Sequence, residues 1–227
     1  MHALRPAETR EDDLRAQLEF GCRDACARVI VSPGSGCTWA DHWYVDIACK
    51  VKAEFGGAIL CALQWSADFE AVDRHAHPDW KVALLESQIL AGRSDQVILL
   101  GHSSGGNAAL RAAERCAVHA LVVVGAGYSQ WDRRDGGVPP WNYDAIVANV
   151  KRQIVILHGA EDHVIPSSEG DAIAQGLRAA VARAGGAGAP ELDIRTRVAG
   201  VGHAMQQQCP PLLLEVLSSL VRQLSQD

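Results

Sequence analysis

Short apolar runs rich in valine, isoleucine and leucine recur along the chain, and segments with helical periodicity separate them. Most of these runs are continuously apolar, which is typical of strands in a sheet that is covered on both faces. Alternation of strand and helix predicts a mainly parallel, doubly wound sheet with helices on both faces. Six strands are predicted, at residues 28–32, 58–63, 96–100, 120–124, 153–157 and 192–198.

The last predicted strand differs from the others because its apolar residues alternate with charged ones. Leu192, Ile194 and Val198 are separated by an aspartate and two arginines, so we expect an edge strand with one face in water. Five helices are predicted from apolar residues spaced three and four apart, at residues 40–55, 80–91, 104–115, 167–183 and 211–224.

The first 27 residues are polar and acidic and lie outside this pattern. We interpret residues 1–27 as an N-terminal extension that packs loosely, with a short amphipathic helix around Leu14 and Leu18. Residues 28–227 then form a single domain, because no repeat or long linker divides them.

Composition excludes several classes of protein. A formal net charge of −6 disfavours binding to nucleic acid, and no apolar run approaches the roughly 20 residues that span a bilayer. Seven cysteines form an odd set without a CxxC pair, and the first residues lack the apolar stretch of a secretory signal. We therefore expect a cytoplasmic protein with reduced thiols and no membrane partner.

The sequence Gly101-His-Ser-Ser-Gly105 follows a predicted strand directly and opens a predicted helix. This is the context of a nucleophile elbow, in which a tight turn lifts a serine hydroxyl above the sheet edge. Side chains at Gly101 or Gly105 would collide with neighbouring backbone in such a turn. We therefore predict Ser103 as a nucleophile; the alternative is a serine that only caps the helix.

A serine hydroxyl needs a base to remove its proton. His203 lies between the last strand and the last helix, on the side where strands end, and is the predicted base. His102 is a weaker candidate because we expect it to point away from Ser103. His158 is expected to hydrogen-bond the turn that follows its strand.

The base in turn needs a carboxylate to fix its tautomer and stabilise its charged form. Asp162, on the loop after the fifth predicted strand, is the first candidate, and Glu161 and Asp171 are alternatives. The order serine, aspartate, histidine along the chain is the order in G-x-S-x-G hydrolases.

Backbone amides must also stabilise the negative charge on the reacting oxygen. One predicted donor to this oxyanion hole is Ser104, and the other is Ser35, with Gly36 as second choice. Aromatic residues flank the predicted loops, and we expect Trp39 and Trp141 to contact substrate. Residues 128–143 can form no more than a small cap.

His75, His77 and Asp79 have the H-x-H-x-D spacing of some two-metal hydrolases. The next histidine of that motif is absent because Trp80 follows, and no other set completes a site. We therefore predict no metal and no cofactor.

With these residues placed, the chain resembles the retinoblastoma-binding protein 9 family of small serine hydrolases, within the α/β-hydrolase superfamily. The resemblance runs from about residue 28 to the C-terminus and rests on the sequences VIVSPGSG, HWY, VILLGHSSGGNAALRAAE, PPWNYDAIVAN, GAEDHVIP and GHAMQ. It implies an α/β-hydrolase fold with a six-stranded sheet and a minimal cap. It also implies Ser103 as nucleophile, Asp162 as acid and His203 as base, with no cofactor.

The implied activity is carboxylesterase-like hydrolysis of small esters or amides through an acyl-enzyme. An acyltransferase with the same triad and a non-catalytic interaction module on a hydrolase scaffold are the alternatives. The L-x-C-x-E element with which the family's namesake binds the retinoblastoma pocket is absent here, so we do not expect that partner. A monomer acting on a small-molecule substrate is expected.

Overall fold

A computed structural model describes residues 17–20, 27–34, 47, 58–63, 79–92, 96–128, 141–185, 188–203 and 209–224. The strands that they form are β1 (Gln17–Phe20), β2 (Ala27–Ser32), β3 (Ala58–Leu63), β4 (Val97–His102), β5 (Val118–Val124), β6 (Val150–Gly159) and β7 (Glu191–Val198). The helices are α1 (Asp79–Leu90), α2 (Ser104–Ala113), α3 (Tyr143–Asn149), α4 (Ser167–Ala184) and α5 (Cys209–Leu224).

These strands form one seven-stranded sheet in the order β1-β3-β2-β4-β5-β6-β7. Each neighbouring pair from β3 to β7 is parallel. The predicted parallel sheet is therefore confirmed, and so is the edge position of the alternating strand, which is β7.

The structure adds one strand that the sequence reading missed. Strand β1 pairs antiparallel with β3, so the described residues alone form a seven-stranded sheet, where six strands were predicted. Leu18, which we predicted in a short helix, lies in this strand, whereas Leu14 falls outside the described residues. The sequence Gln-Leu-Glu-Phe alternates polar and apolar residues, which is the period of a strand. The domain boundary at residue 27 stays a prediction.

The core lies in two layers, one on each face of the sheet. Strand β5 shows the division, because Leu121 and Val123 pack into one layer while Ala120, Val122 and Val124 pack into the other. Helices α1 to α4 cover the first face, and α5 covers the second together with the buried helical residue Ile47. Burial on both faces explains why the central strands are continuously apolar.

One helix was not predicted. Helix α3 is short and begins after Asn142, whose side chain accepts a hydrogen bond from the Ala145 amide at 3.1 Å. Such an asparagine cap satisfies an amide that the helix itself leaves without a partner. No helix among the described residues is long and apolar enough to cross a bilayer.

The carboxyl ends of β4, β5 and β6 are tied together by backbone hydrogen bonds. The Ser103 amide donates to the Val124 carbonyl at 2.8 Å, and the Gly125 amide donates to the Leu157 carbonyl at 2.9 Å. Because parallel strands end at the same edge, loops that follow different strands meet there. This edge holds the candidate site.

Candidate active site

Ser103 occupies the sharp turn between β4 and α2. Its backbone has φ 54° and ψ −123°, a conformation that side chains rarely adopt and that is typical of strained functional residues. Ser103 stands at the cap position of α2, yet its side chain makes no capping hydrogen bond. The Ser103 side chain therefore does not cap the helix, and its role as nucleophile stays a prediction.

Close packing of backbone explains the two glycines of the turn. A Cβ atom on Gly101 would lie 2.4 Å from the Gly105 carbonyl oxygen. A Cβ atom on Gly105 would lie 2.1 Å from the Ser32 carbonyl oxygen and 2.4 Å from that of Pro33. The predicted collisions at both positions are confirmed, and β2 therefore approaches α2 more closely than any side chain would allow.

The structure brings Ser103, His203 and Asp162 together in one hydrogen-bonded chain. His203 Nδ1 lies 2.8 Å from Asp162 Oδ2, and His203 Nε2 lies 2.9 Å from Ser103 Oγ. Because the carboxylate only accepts, Nδ1 of His203 donates to it and Nε2 is left to accept the serine proton. The His203 side chain is 17% exposed and that of Asp162 is 0% exposed.

Asp162 divides its two oxygens between its own loop and the histidines. Oδ1 accepts from the amides of Val164 at 2.9 Å and Ile165 at 2.8 Å, which fixes the loop after β6. Burial alone would raise the pKa of Asp162, but hydrogen bonds from two imidazoles and one backbone amide hold that pKa well below its ordinary value. The carboxyl group is therefore ionised at neutral pH.

His158 is the second imidazole beside Asp162. Its Nε2 donates to the Ile165 carbonyl at 2.9 Å, as the sequence predicted, and also lies 3.3 Å from Asp162 Oδ2. Burial would lower the pKa of His158, but the Asp162 carboxylate and the Ile165 carbonyl raise it. Among the described residues nothing hydrogen-bonds its Nδ1, which faces Gly170 of α4. Sequence reasoning missed this contact with the acid.

His102 lies behind the nucleophile and contacts the backbone of the base. Its Nε2 donates to the His203 carbonyl oxygen at 2.9 Å, and the two rings are 5.4 Å apart. His102 is 2% exposed. Burial lowers its pKa from 6.5 to about 4, so the ring is neutral where a histidine base works.

Gly125 completes the floor of the site and was not singled out in the sequence. It follows β5 with φ 55°, a left-handed conformation that glycine adopts without strain. A Cβ atom there would lie 3.6 Å from Asp162 Oδ2 and 3.7 Å from His203 Nδ1. A glycine directly after a buried strand was the only signal available.

The predicted oxyanion hole lies partly within the described residues. Ser104 is the first residue of α2, where backbone amides and the helix dipole favour negative charge. Ser35 and Gly36 fall outside the described residues, but the preceding Gly34 lies close to the site. A Cβ atom on Gly34 would be 2.9 Å from Ser103 Cβ. Both oxyanion donors stay predictions.

Within the described chain, neither of the other acidic candidates hydrogen-bonds His203. Glu161 is exposed. Asp171, on α4, forms a 2.8 Å ion pair with Arg197 of β7. Of the three carboxylates considered, Asp162 is the one within hydrogen-bond distance of the base.

Of the two predicted substrate contacts, only Trp141 is described. It is 6% exposed, and its ring lies 4.5 Å from the Tyr128 ring and 6.5 Å from the Tyr143 ring, in the layer covered by α1 to α4. Trp39 falls outside the described residues. The role of both tryptophans in substrate binding stays a prediction.

The H-x-H-x-D motif is only partly within the described chain. Asp79 is the first residue of α1, whereas His75 and His77 fall outside the described residues. Within the described ranges, histidine, cysteine and carboxylate side chains form no group of three that could hold a metal ion.

Several solved structures share this architecture across most of the chain. Est1E from Butyrivibrio proteoclasticus, solved with ferulic acid bound, is 14% identical over 93% of this chain and 95% of its own, with a TM-score of 0.65. The chain has the α/β-hydrolase fold. MGS-MChE2, an α/β-hydrolase enzyme from the metagenome of sediments of the Mar Chica lagoon in Morocco, is 17% identical over 91% of this chain and 94% of its own, with a TM-score of 0.62.

A third relative by structure is XC6422 from Xanthomonas campestris, described as a serine hydrolase without a lid. It is 15% identical over 91% of this chain and 88% of its own, with a TM-score of 0.56. No protein-family model matches the chain, and comparison with curated protein sequences finds no match. The likeness to solved structures shows the α/β-hydrolase fold alone, because identity is low.

Proposed function

We propose that this protein is a serine hydrolase that cleaves small carboxylic esters or amides through an acyl-enzyme. The observation that carries the proposal is the chain of two hydrogen bonds from Ser103 through His203 to Asp162. Nucleophile, base and orienting acid come from three separate loops at one edge of the sheet. A strained serine at a strand-to-helix turn adds to this support.

In the first step, Ser103 Oγ attacks the carbonyl carbon of the substrate. His203 Nε2 takes the hydroxyl proton as the new C–O bond forms, and the ionised Asp162 stabilises the resulting imidazolium. The charge that develops on the carbonyl oxygen faces the N-terminus of α2, where the Ser104 amide and an amide of the loop after β2 would stabilise it. His203 then gives its proton to the leaving alcohol or amine, which departs.

In the second step, water attacks the acyl-enzyme. His203 removes a proton from that water, the C–O bond to Ser103 breaks, and the proton returns to Ser103 Oγ as the carboxylic acid leaves. Every proton transfer uses this chain's own side chains, so the reaction as written needs no cofactor.

The sequence resemblance extends this proposal. We infer a carboxylesterase-like member of the retinoblastoma-binding protein 9 family that acts as a cytoplasmic monomer. The motifs around Ser103, Asp162 and His203 support the family, and the resemblance leaves the retinoblastoma partner out.

Hydrolysis of p-nitrophenyl acetate, butyrate and octanoate tests the proposed function. We expect turnover by the native chain, with a burst of p-nitrophenol when deacylation is slower than acylation. Ser103→Ala should fold and lose about 10⁴-fold or more in kcat. Turnover by Ser103→Ala at the native rate would contradict the proposal. Added methanol tests the alternative of an acyltransferase, because such an enzyme would transfer the acyl group to methanol and form methyl ester in preference to free acid.

A further inference from the structure

The loop that carries the base is anchored as far as Val201, which is 4% exposed. Few described contacts hold His203 itself. His203 follows β7 by five residues, and the structure between Val198 and His203 is not a helix or strand. On the side of the acid, the Glu161 amide donates to the Val201 carbonyl at 3.0 Å. On the side of the nucleophile, the contact is the 2.9 Å hydrogen bond from His102 Nε2 to the His203 carbonyl.

The chemistry of the His102 side chain favours a hydrogen bond that persists at working pH. A backbone carbonyl only accepts, so Nε2 of His102 must carry the proton. The ring is 2% exposed, and its hydrogen bond therefore does not compete with water. A pKa of about 4 keeps the ring neutral at the pH at which a histidine base works, so the same tautomer persists there.

We propose that His102 is a positioning residue, whose Nε2–H fixes the backbone of His203 and so sets the distance from the base to Ser103. His102 and Ser103 are consecutive in the chain, and the nucleophile and the base are therefore joined through one buried side chain. This inference rests on the proposed function, because it assigns His102 a role in the proton transfer between His203 and Ser103.

The geometry explains why the attachment matters. Asp162 sets the rotation of the His203 ring through Nδ1, but it does not fix the backbone that carries the ring. Loss of the carbonyl contact would let this backbone shift, and a misplacement of about 1 Å can cost roughly 10²-fold in rate. The partly buried carbonyl would also lose its donor.

The test compares rates of labelling of Ser103 by a fluorophosphonate probe at pH 7.5. His102→Phe keeps a ring but removes the donor, and it should label 10- to 100-fold more slowly than the native chain, roughly the loss that such a misplacement causes. His102→Gln places an amide N–H near the position of Nε2 and should stay within about threefold, as expected when a donor is retained.

His119→Phe is the matched control. His119 is also 2% exposed but lies at the start of β5, away from the carboxyl edge of the sheet. The same substitution there should leave the labelling rate at the native value. A slow His119→Phe variant would mean that any buried histidine loss has this effect, which would overturn the proposal.

A double-substitution cycle separates positioning of the base from a general structural effect. Once His203→Ala has removed the imidazole, His102→Phe should not slow the residual labelling further, because it acts through that imidazole. If the residual rate falls by the same factor as in the native background, His102 acts on the turn itself and the proposal is wrong. If His102→Phe does not fold, His102→Asn replaces it, since its shorter amide cannot reach the carbonyl.

The outcomes also distinguish this inference from the proposed function. No labelling of the folded native chain would overturn the proposed function and this inference with it. Labelling of the native chain together with equal rates for His102→Phe and His102→Gln would overturn this inference and leave the proposed function standing.

Discussion

Close backbone packing holds the turn at Ser103 itself, whereas in the loop that carries His203 such packing ends two residues before the base. Around Ser103, backbone packs against backbone so closely that a Cβ atom on Gly105 would lie 2.1 Å from the Ser32 carbonyl oxygen. The loop before His203 is packed as closely at Val201, because a Cβ atom on Gly159 would lie 2.1 Å from the Val201 carbonyl oxygen. The next residue has more space, since a Cβ atom on Gly202 would meet the Glu161 carbonyl oxygen at an ordinary 3.5 Å. A hydrogen bond donated to Asp162 and one accepted from His102 position His203 itself.

This difference indicates how each part should respond to substitution. Steric packing fixes the nucleophile and links its position to the stability of the fold. Hydrogen bonds fix the base, so its position can be lost while the fold survives. Substitutions that fill the close backbone contacts of the turn should therefore appear first as lost stability, and substitutions that remove the hydrogen bonds of His203 first as lost rate.

The largest effect is expected where the base loses its acid. Asp162→Asn removes the charge that stabilises the imidazolium and should lower kcat about 10³- to 10⁴-fold. Asp171→Asn is the control, since Asp171 is paired with Arg197 and, within the described chain, does not hydrogen-bond the base. Steady-state kinetics on a p-nitrophenyl ester give both values. Equal losses for the two variants would contradict the assignment of Asp162.

The next effect contrasts the two regions directly. Gly105→Ala places a methyl group against two backbone carbonyls and should lower the free energy of unfolding by about 3 kcal/mol or more. Gly202→Ala should cost less than about 1 kcal/mol, because its contact is an ordinary one. Urea unfolding measures both. A Gly202→Ala variant that is as unstable as Gly105→Ala would remove the proposed difference between the regions.

The third prediction concerns the free energy of unfolding at low pH. The pKa of His102 is lowered from 6.5 in the unfolded chain to about 4 in the folded one. The unfolded state therefore binds more protons between these values, and stability falls as the pH drops from 6.5 towards 4. The loss attributable to His102 should reach about 2–3 kcal/mol near pH 4.5.

His102→Gln has no such proton to gain and isolates this contribution. The difference in unfolding free energy between the native chain and His102→Gln should shift in favour of the variant as the pH falls from 7.5 to 4.5. Urea unfolding at the two pH values measures it. A difference that does not change with pH would show that His102 is not buried in its neutral form.

The smallest effect tests whether His158, the second imidazole beside Asp162, matters for the rate of hydrolysis. A Cβ atom on Gly170 would lie 2.5 Å from His158 Nδ1, and one on Gly176 would lie 2.2 Å from the Tyr143 ring. Gly170→Ala and Gly176→Ala should each cost about 1–2 kcal/mol of stability, since both overpack a buried contact. Only Gly170→Ala should also lower kcat severalfold, because it displaces His158 and with it the acid. A matching loss for Gly176→Ala would contradict this.

Much of the fold could be predicted from sequence because both layers of the core leave a local pattern. The continuously apolar strands β4 and β5 and the glycines at 101 and 105 are each recognisable within a few residues. Strand β1 escaped notice because four residues with a period of two are too short to stand out. Helix α3 escaped notice because a seven-residue helix shows barely two turns of periodicity.

Some parts of the candidate site could likewise be predicted from the sequence, and others could not. The proximity of Ser103, Asp162 and His203 could be predicted because each follows a strand in the expected order. The contacts of His102 and His158 were missed because they depend on how the chain turns after each strand. His102 contacts a residue 101 positions later in the chain, and His158 contacts one four positions later. No local pattern encodes the direction of a side chain at the end of a strand.

The most direct test of the account is the intact mass of the protein after brief exposure to a fluorophosphonate at neutral pH. We predict a single adduct on the native chain, mapped to the peptide that contains Ser103. Ser103→Ala should gain no adduct, and His203→Ala should gain it at a strongly reduced rate. A folded native chain that gains no adduct, or an adduct that persists in Ser103→Ala, would contradict the account.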